Sequence, residues 1–240
     1  MCGRDVTIDE LLKKYDAIYI SVGANEPNNT LNQENVLSAN KLLEELNEER
    51  IEKNSIEKYK KIFNNKKVAV NGGGNVAMDA ARSLKRLGAD VTIVYRRSIN
   101  EMPAAINEIE AAKKENIEFL FQTNIVSFNG SKKEMELIKT DLQKNENDLR
   151  LVPVNIPNSN YKKEFDYCIL ATGSLPDKEF IEELKIKTDD KGYIKVNEKY
   201  QTSNEKIFAG GDIIKSRATV ANASYDGREA AKSIIEFLNK

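Results

Sequence analysis

The chain has 240 residues, with 37 Lys and Arg against 38 Asp and Glu for a net charge of −1, no His, no Trp and two Cys. Without an imidazole it builds no Ser-His-Asp triad, Cys-His dyad or histidine zinc site, so another group must carry the reactive atom. The balanced charge offers no basic field for nucleic acid or an anionic membrane, and Cys2 and Cys168, far apart and with no Cys-x-x-Cys, exclude a redox dithiol or a four-thiolate cluster within one chain.

At 40 % hydrophobic residues the chain can bury a sizeable core. No run approaches the roughly 18 to 20 apolar residues of a membrane helix, and the start, Met1-Cys2-Gly3-Arg4-Asp5, lacks a secretory core. The expected compartment is a reducing cytoplasm, with neither membrane nor nucleic acid as partner.

In chain order, Asp9 to Leu12 reads as an amphipathic helical turn, followed by an apolar run from Tyr15 to Ala24 that includes Gly23, the pattern of a buried parallel strand. Asn25 to Asn35 is a polar loop. Leu42, Leu43, Leu46, Ile51, Ile56, Tyr59 and Phe63 then recur at helical spacing amid charge, which suggests a connector of surface helices. From Lys66 the pattern is strand (Lys67 to Asn71), glycine turn, helix (Val76 to Leu87), Gly88 stop and strand (Val91 to Tyr95), one βαβ unit. Pro103 is expected to open a helix reaching about Asn116, and a strand follows at Ile117 to Phe121. Alternating segments at Ile125 to Phe128, Glu134 to Leu142 and Leu149 to Val154, joined by polar turns at Asn129-Gly130-Ser131 and 144–147, predict an antiparallel meander. Phe165 to Gly173 repeats the acid, aromatic, apolar strand and glycine of Tyr15 to Gly23. Gly192 to Val196, Ile207 to Asp212 and a helix from about Thr219 to Leu238 close the chain.

Asn71-Gly72-Gly73-Gly74-Asn75-Val76-Ala77 fits Gly-x-Gly-x-x-Ala between strand and helix. Gly72 permits the tight turn, Gly74 lets the backbone approach a pyrophosphate at the helix N-terminus, and Ala77 allows close helix–strand packing. An acid that would hold a ribose 2′-hydroxyl is absent at the end of the second strand, where the chain reads Tyr95-Arg96-Arg97-Ser98. Two guanidiniums and a hydroxyl suit a 2′-phosphate, so NADP is preferred over NAD. Asp79, one turn into the helix, either complements the dipole or faces the nicotinamide carboxamide.

The run Gly72 to Arg82, Val94-Tyr95-Arg96-Arg97-Ser98 and Glu101-Met102-Pro103-Ala104 resembles the NADPH-binding domain of the glutamate synthase small subunit and its relatives. Ala171-Thr172-Gly173, Ile207 to Asp212, Ala218 to Ala223, Asp226-Gly227-Arg228 and Ala230-Ala231 are similar to the family's FAD-contacting C-terminal segment. The resemblance implies an α/β flavoprotein of the glutathione-reductase-like two-dinucleotide-domain class: a Rossmann-like NADPH domain of parallel sheet with an antiparallel meander, and an incomplete FAD-binding domain. The corresponding boundaries are 66–173 for the NADPH domain, 36–65 for a helical connector, and 1–35 with 174–240 for the partial FAD domain. Expected cofactor contacts are Gly72, Gly73, Gly74, Asn75, Val76, Asp79, Tyr95, Arg96 and Arg97 for NADPH, and Thr172, Gly173, Gly211, Asp212, Thr219 and Val220 for FAD, with the Thr219-Val220 backbone facing the flavin. No catalytic side chain or metal ligand is expected.

The implied activity is transfer of hydride from NADPH to FAD and of electrons onward to an iron–sulfur or large-subunit partner. Family members begin with a cysteine-rich domain and a first Gly-x-Gly-x-x-Gly unit that this sequence lacks. Ser21-Val22-Gly23 replaces the usual Ala-Thr-Gly, and Lys215-Ser216-Arg217 replaces a glycine-containing turn. These departures assign FAD to the complete enzyme rather than to this chain alone. A non-catalytic NADPH-binding sensor or assembly module is the alternative.

Overall fold

The computed structural model describes residues 5–28, 31, 33–52, 55–145, 148–216 and 219–239. Met1 to Arg4, parts of the 25–35 loop and of the 144–147 turn, Arg217 and Ala218 lie outside the described residues. The chain divides into two compact units, residues 1–26 with 174–240, and residues 27–173.

The first unit opens with α1 (Ile8–Lys14) and β1 (Ile18–Ile20), and the two-residue strand β2 (Glu26–Pro27) stands at the division. Thr7 caps α1 with a reciprocal box. Its hydroxyl accepts from the Glu10 N–H at 3.2 Å, and its own N–H donates to the Glu10 carboxylate at 2.8 Å.

Within the second unit run β3 (Val36–Ser38), α2 (Ala39–Glu52), α3 (Ser55–Phe63), β4 (Lys67–Asn71), α4 (Asn75–Arg86), β5 (Asp90–Val94), α5 (Ile106–Lys114) and β6 (Glu118–Leu120). The strands β7 (Thr123–Asn129), β8 (Glu134–Asn145), β9 (Asp148–Asn155), β10 (Tyr161–Glu164) and β11 (Tyr167–Leu170) complete it. Its centre is a parallel sheet in the order β3-β11-β4-β5-β6. Alternation along these strands feeds two cores. Val68, Val70, Val91, Ile93 and Ile169 join the helix side with Met78, Ala81 and Leu84, whereas Ala69, Val94, Cys168 and Leu170 join the meander side with Phe128, Met135, Leu137 and Phe165. Alanines at 77, 80 and 81, all fully buried, let α4 lie close to the sheet. It ends where Gly88 takes φ +92° and the Ala89 N–H reaches back to the Leu84 carbonyl at 3.1 Å, a Schellman stop.

Three expectations change here. The 36–65 segment is integral to this unit: Val36–Ser38 pairs with β11, and Leu42, Tyr59 and Phe63 are buried, so the first boundary stands at 26/27 rather than 35/36. Pro103 does not open α5, whose N-cap is Ala105, because the Ala104 and Ala105 N–H groups are drawn to the glycine turn. The meander carries β10, which its charged sequence concealed; Lys162 and Lys163 there pair with Glu134 and Glu118.

The first unit is completed by β12 (Ser174–Leu175), α6 (Lys178–Leu184), β13 (Ile207–Ala209) and α7 (Val220–Leu238). β1 and β13 pair in parallel, and Ile20, Ile181, Leu184, Ile194, Ile207 and Ile213 form its core.

Candidate functional site

In the second unit the Gly72 N–H donates to the Val94 carbonyl at 3.1 Å, so the glycine turn and the end of β5 open side by side at the carboxyl edge of the parallel sheet. That edge is where open α/β sheets bind ligands. The three glycines have different reasons to be there. A Cβ on Gly72, whose φ is +150°, would stand 2.4 Å from the Ala171 carbonyl oxygen, and one on Gly73 would stand 2.6 Å from the Tyr95 ring. Gly74 is extended (φ −91°, ψ 178°), and its Cβ would meet only the Pro103 ring at 3.9 Å. Internal packing therefore explains the first two but not Gly74, which leaves a cradle that a Cβ would fill and that a ligand lying on the backbone requires. Gly74 also caps α4 without a side-chain hydrogen bond, so the Asn75 and Val76 amides at the helix start lack intrahelical acceptors.

The neighbouring side chains divide between the turn and open solvent. Asn75 Oδ1 accepts from the Ala105 N–H at 2.8 Å, tying the start of α4 to the start of α5. Tyr95 is buried beneath Gly73 with its hydroxyl donating to the Glu101 carbonyl at 2.8 Å; it supports the turn from below rather than presenting its ring as a contact surface. The Ser98 hydroxyl is likewise engaged, in a capping box with Glu101, which removes it from the expected phosphate set. Arg96 is exposed and has no ion pair among the described residues, while its carbonyl accepts from the Thr140 hydroxyl at 2.8 Å. Arg97 Nε donates to the Leu151 carbonyl on β9 at 2.9 Å, which orients its guanidinium from the meander. Asp79 lies on the exposed face of α4. Partial burial and then the Glu108 carboxylate push its carboxyl above the usual range, against the opposing charge of Arg82. At the end of β11, the Thr172 hydroxyl donates to the Asn28 carbonyl at 3.2 Å, and Gly173 takes φ +97° with open space where a Cβ would be.

In the first unit the Gly210 N–H donates to the Ile20 carbonyl at 3.1 Å, joining the end of β13 to β1. Beyond these ends lies a cavity of about 360 Å³ lined by Tyr19, Ser21, Gly23, Gly211, Asp212 and Ala223 among others. Gly211 and Asp212, expected as FAD contacts, are among the residues lining this cavity. Thr219 and Val220 do not line this cavity: the Thr219 hydroxyl caps α7 by accepting from the Asn222 N–H at 3.2 Å, and Val220 is 85 % exposed. Lys215, where the resemblance implies a glycine-containing turn, adopts φ +62°. The sequence set Asp226 within a stretch similar to the family's FAD-contacting segment but not among the expected contacts; its carboxylate accepts from the Gly211 N–H at 3.0 Å. Its signal was an acid set between Ala223 and Ala230 on one helix face, where three- and four-residue steps place side chains together.

Cys168 is buried, and burial pushes its thiol up to about 12, so it is an inert core residue. Among the described residues there is no group of three or more metal-ligating side chains, and no helix is long and apolar enough to cross a membrane.

A parallel sheet with a glycine turn at its carboxyl edge, and a second unit with a glycine-walled cavity beyond two parallel strands, define a dinucleotide-binding oxidoreductase fold. The chain belongs to the pyridine nucleotide-disulphide oxidoreductase family, whose pattern matches residues 4–227. It is 34 % identical to the NADP(+)-dependent formate dehydrogenase subunit beta of Moorella thermoacetica, over 99 % of this chain and 34 % of that protein. It is 32 % identical to the glutamate synthase [NADPH] small chain of Escherichia coli, over 98 % of this chain and 53 % of that one. The chain therefore spans about a third to a half of these relatives' length. Among solved structures, Mycobacterium tuberculosis FprA in complex with NADPH shares the fold at TM-score 0.79 and 16 % identity, over 100 % of this chain and 67 % of that one. The thioredoxin reductase of T. acidophilum does so at TM-score 0.67 and 19 % identity, over 93 % and 66 %.

Proposed function

We propose that this chain is the NADPH-binding portion of a flavin oxidoreductase of the glutamate synthase small subunit type, working in the cytoplasm with an iron–sulfur or large-subunit partner. The observation that carries the reading is Gly74, a glycine that the protein's own packing does not require, at the uncapped start of α4. In this reading the Asn75 and Val76 amides receive the pyrophosphate, Arg96 and Arg97 receive the 2′-phosphate, and Asp79 faces the nicotinamide end. Gly211 and Asp212 border the segment of FAD that enters the cavity of the first unit. The bound pair supplies the redox chemistry, NADPH giving a hydride that FAD accepts. This chain's residues bind, orient and select.

Nicotinamide fluorescence titrations of the chain with NADPH and NADH test the proposal. Tighter binding of NADPH supports it, and no binding, or equal binding of the two, overturns the 2′-phosphate assignment. Flavin absorbance of the purified protein supports the oxidoreductase reading, whereas a colourless protein that binds NADPH tightly favours a non-catalytic module.

A further inference from the structure

Behind the cavity of the first unit sits a buried carboxylate. Asp226 on α7 is only 6 % exposed, and no Lys or Arg forms an ion pair with it among the described residues. A buried charge is retained at a cost unless it is hydrogen-bonded. The donors that meet Asp226 are neutral and come from two different segments: the Gly211 N–H reaches Oδ2 at 3.0 Å, and the Tyr200 hydroxyl reaches Oδ1 at 3.0 Å. Tyr200 is itself fixed by a left-handed backbone (φ +58°), and its carbonyl accepts from the Ala209 N–H at 2.9 Å. The carboxylate thus bridges α7, the turn just after β13 that holds Gly211 and the turn before β13 that holds Tyr200. Gly210 is pressed against the same group, since a Cβ there would stand 2.3 Å from the Tyr19 hydroxyl and 3.1 Å from Asp226 Cβ. Gly211 holds φ +78°, a conformation that needs an external tether to stay unique in a residue with so much freedom.

We propose that Asp226 is the positioning residue of this cavity: its carboxylate, braced by Tyr200, fixes Gly211 and so aims the Gly211–Asp212 rim at a flavin-type ligand. The role rests on the flavin reading above only for the identity of the ligand; the bracing of the turn stands on the geometry. A hydrogen bond to an ionised acceptor is about twice as strong as a neutral one, which makes a carboxylate a better tether for a buried amide than an amide oxygen. Burial first, then its hydrogen bond to Asp226 and the Asp226 charge, push the Tyr200 phenol up to about 12. Burial and the same charge raise the Tyr19 phenol as well, so both phenols stay protonated throughout the physiological range, Tyr200 as the donor to Asp226.

The test compares the wild-type chain with Asp226→Asn and Tyr200→Phe, using FAD and NADPH as probes. Asp226→Asn should speed amide exchange at Gly211 and weaken FAD by about tenfold each, the loss of one charged hydrogen bond, with NADPH binding unchanged as a check on the fold. Ultraviolet titration should show one tyrosine titrating lower than in the wild type while still held above the ordinary range by burial. Tyr200→Phe should move exchange and FAD affinity the same way by less. Unchanged Gly211 exchange in Asp226→Asn, with the tyrosine shifted, overturns the proposal. If the wild type takes up no FAD, the flavin reading fails for this chain, and Gly211 exchange alone decides the positioning role.

Discussion

The two units each end a parallel strand in adjacent glycines, but the glycines do different jobs. At Gly72-Gly73-Gly74 two residues clear space for the protein itself, one for the Ala171 carbonyl and one for the Tyr95 ring, and only the third faces open space. At Gly210-Gly211 the first clears space for Tyr19 and Asp226, and the second is held in a left-handed conformation by a hydrogen bond from behind. The first turn is backed by apolar packing and a helix start, the second by a buried anion. A consecutive run of glycines is therefore not one signal, and its members separate only when their neighbours are known.

Substitutions should divide the first turn most sharply. Gly72→Val puts its Cβ against a backbone carbonyl that cannot swing away and should cost about 3 kcal/mol of stability in urea unfolding; an unchanged midpoint would mean that the turn has another packing. Gly74→Val should leave that midpoint unchanged yet weaken NADPH at least about 100-fold, ~2.7 kcal/mol, by titration. Arg96→Ala should lose about 2 kcal/mol of NADPH binding with little change for NADH, and Arg97→Ala should do the same. Equal losses for both nucleotides would remove the 2′-phosphate from these residues.

The smallest effect concerns pH. The Asp166 carboxylate accepts from the Lys67 N–H at 2.9 Å and pairs with Lys133 at 2.9 Å, joining the start of β4 to the meander. Burial raises this group, but the Lys133 ammonium and the Lys67 N–H outweigh it and hold the carboxyl below the usual range. A depressed acid contributes stability above the unfolded value of about 4, and that contribution is lost as pH falls through the lower folded value. Asp166→Asn should therefore be less stable than wild type at pH 7 by less than about 1 kcal/mol, given solvent screening, and the gap should close under acid. A gap that stays constant to low pH would assign the loss to packing.

Much of the second unit was legible because its strands are short apolar runs between strong punctuation: Lys67 to Asn71, the glycine turn, Gly88 and Val91 to Tyr95 each announce themselves locally. The segment 36–65 was not, since two charged helices look the same whether their apolar stripe covers a sheet or a linker, and only the burial of Leu42, Tyr59 and Phe63 distinguishes these. Tyr95 and Ser98 read as ligand contacts from their place after β5, but Glu101, three residues beyond Ser98, takes both hydroxyls through its carbonyl and carboxylate.

By itself the sequence determined the chemistry excluded by the lack of histidine, the strand, turn and helix of the phosphate-type motif, and the arginines that stand where an acid is usual. Those depend on residue type and near spacing, which the chain states directly. Tertiary structure decided which glycine is free, which of the side chains after β5 stay available, and that Asp226 lies behind Gly211. Apart from the Ser98–Glu101 capping box, which spans three residues, these are contacts between residues further apart in the chain, 6 positions for Tyr95 and Glu101, 15 for Gly211 and Asp226, 22 for Gly73 and Tyr95 and 99 for Gly72 and Ala171, and helix or strand periodicity does not record them.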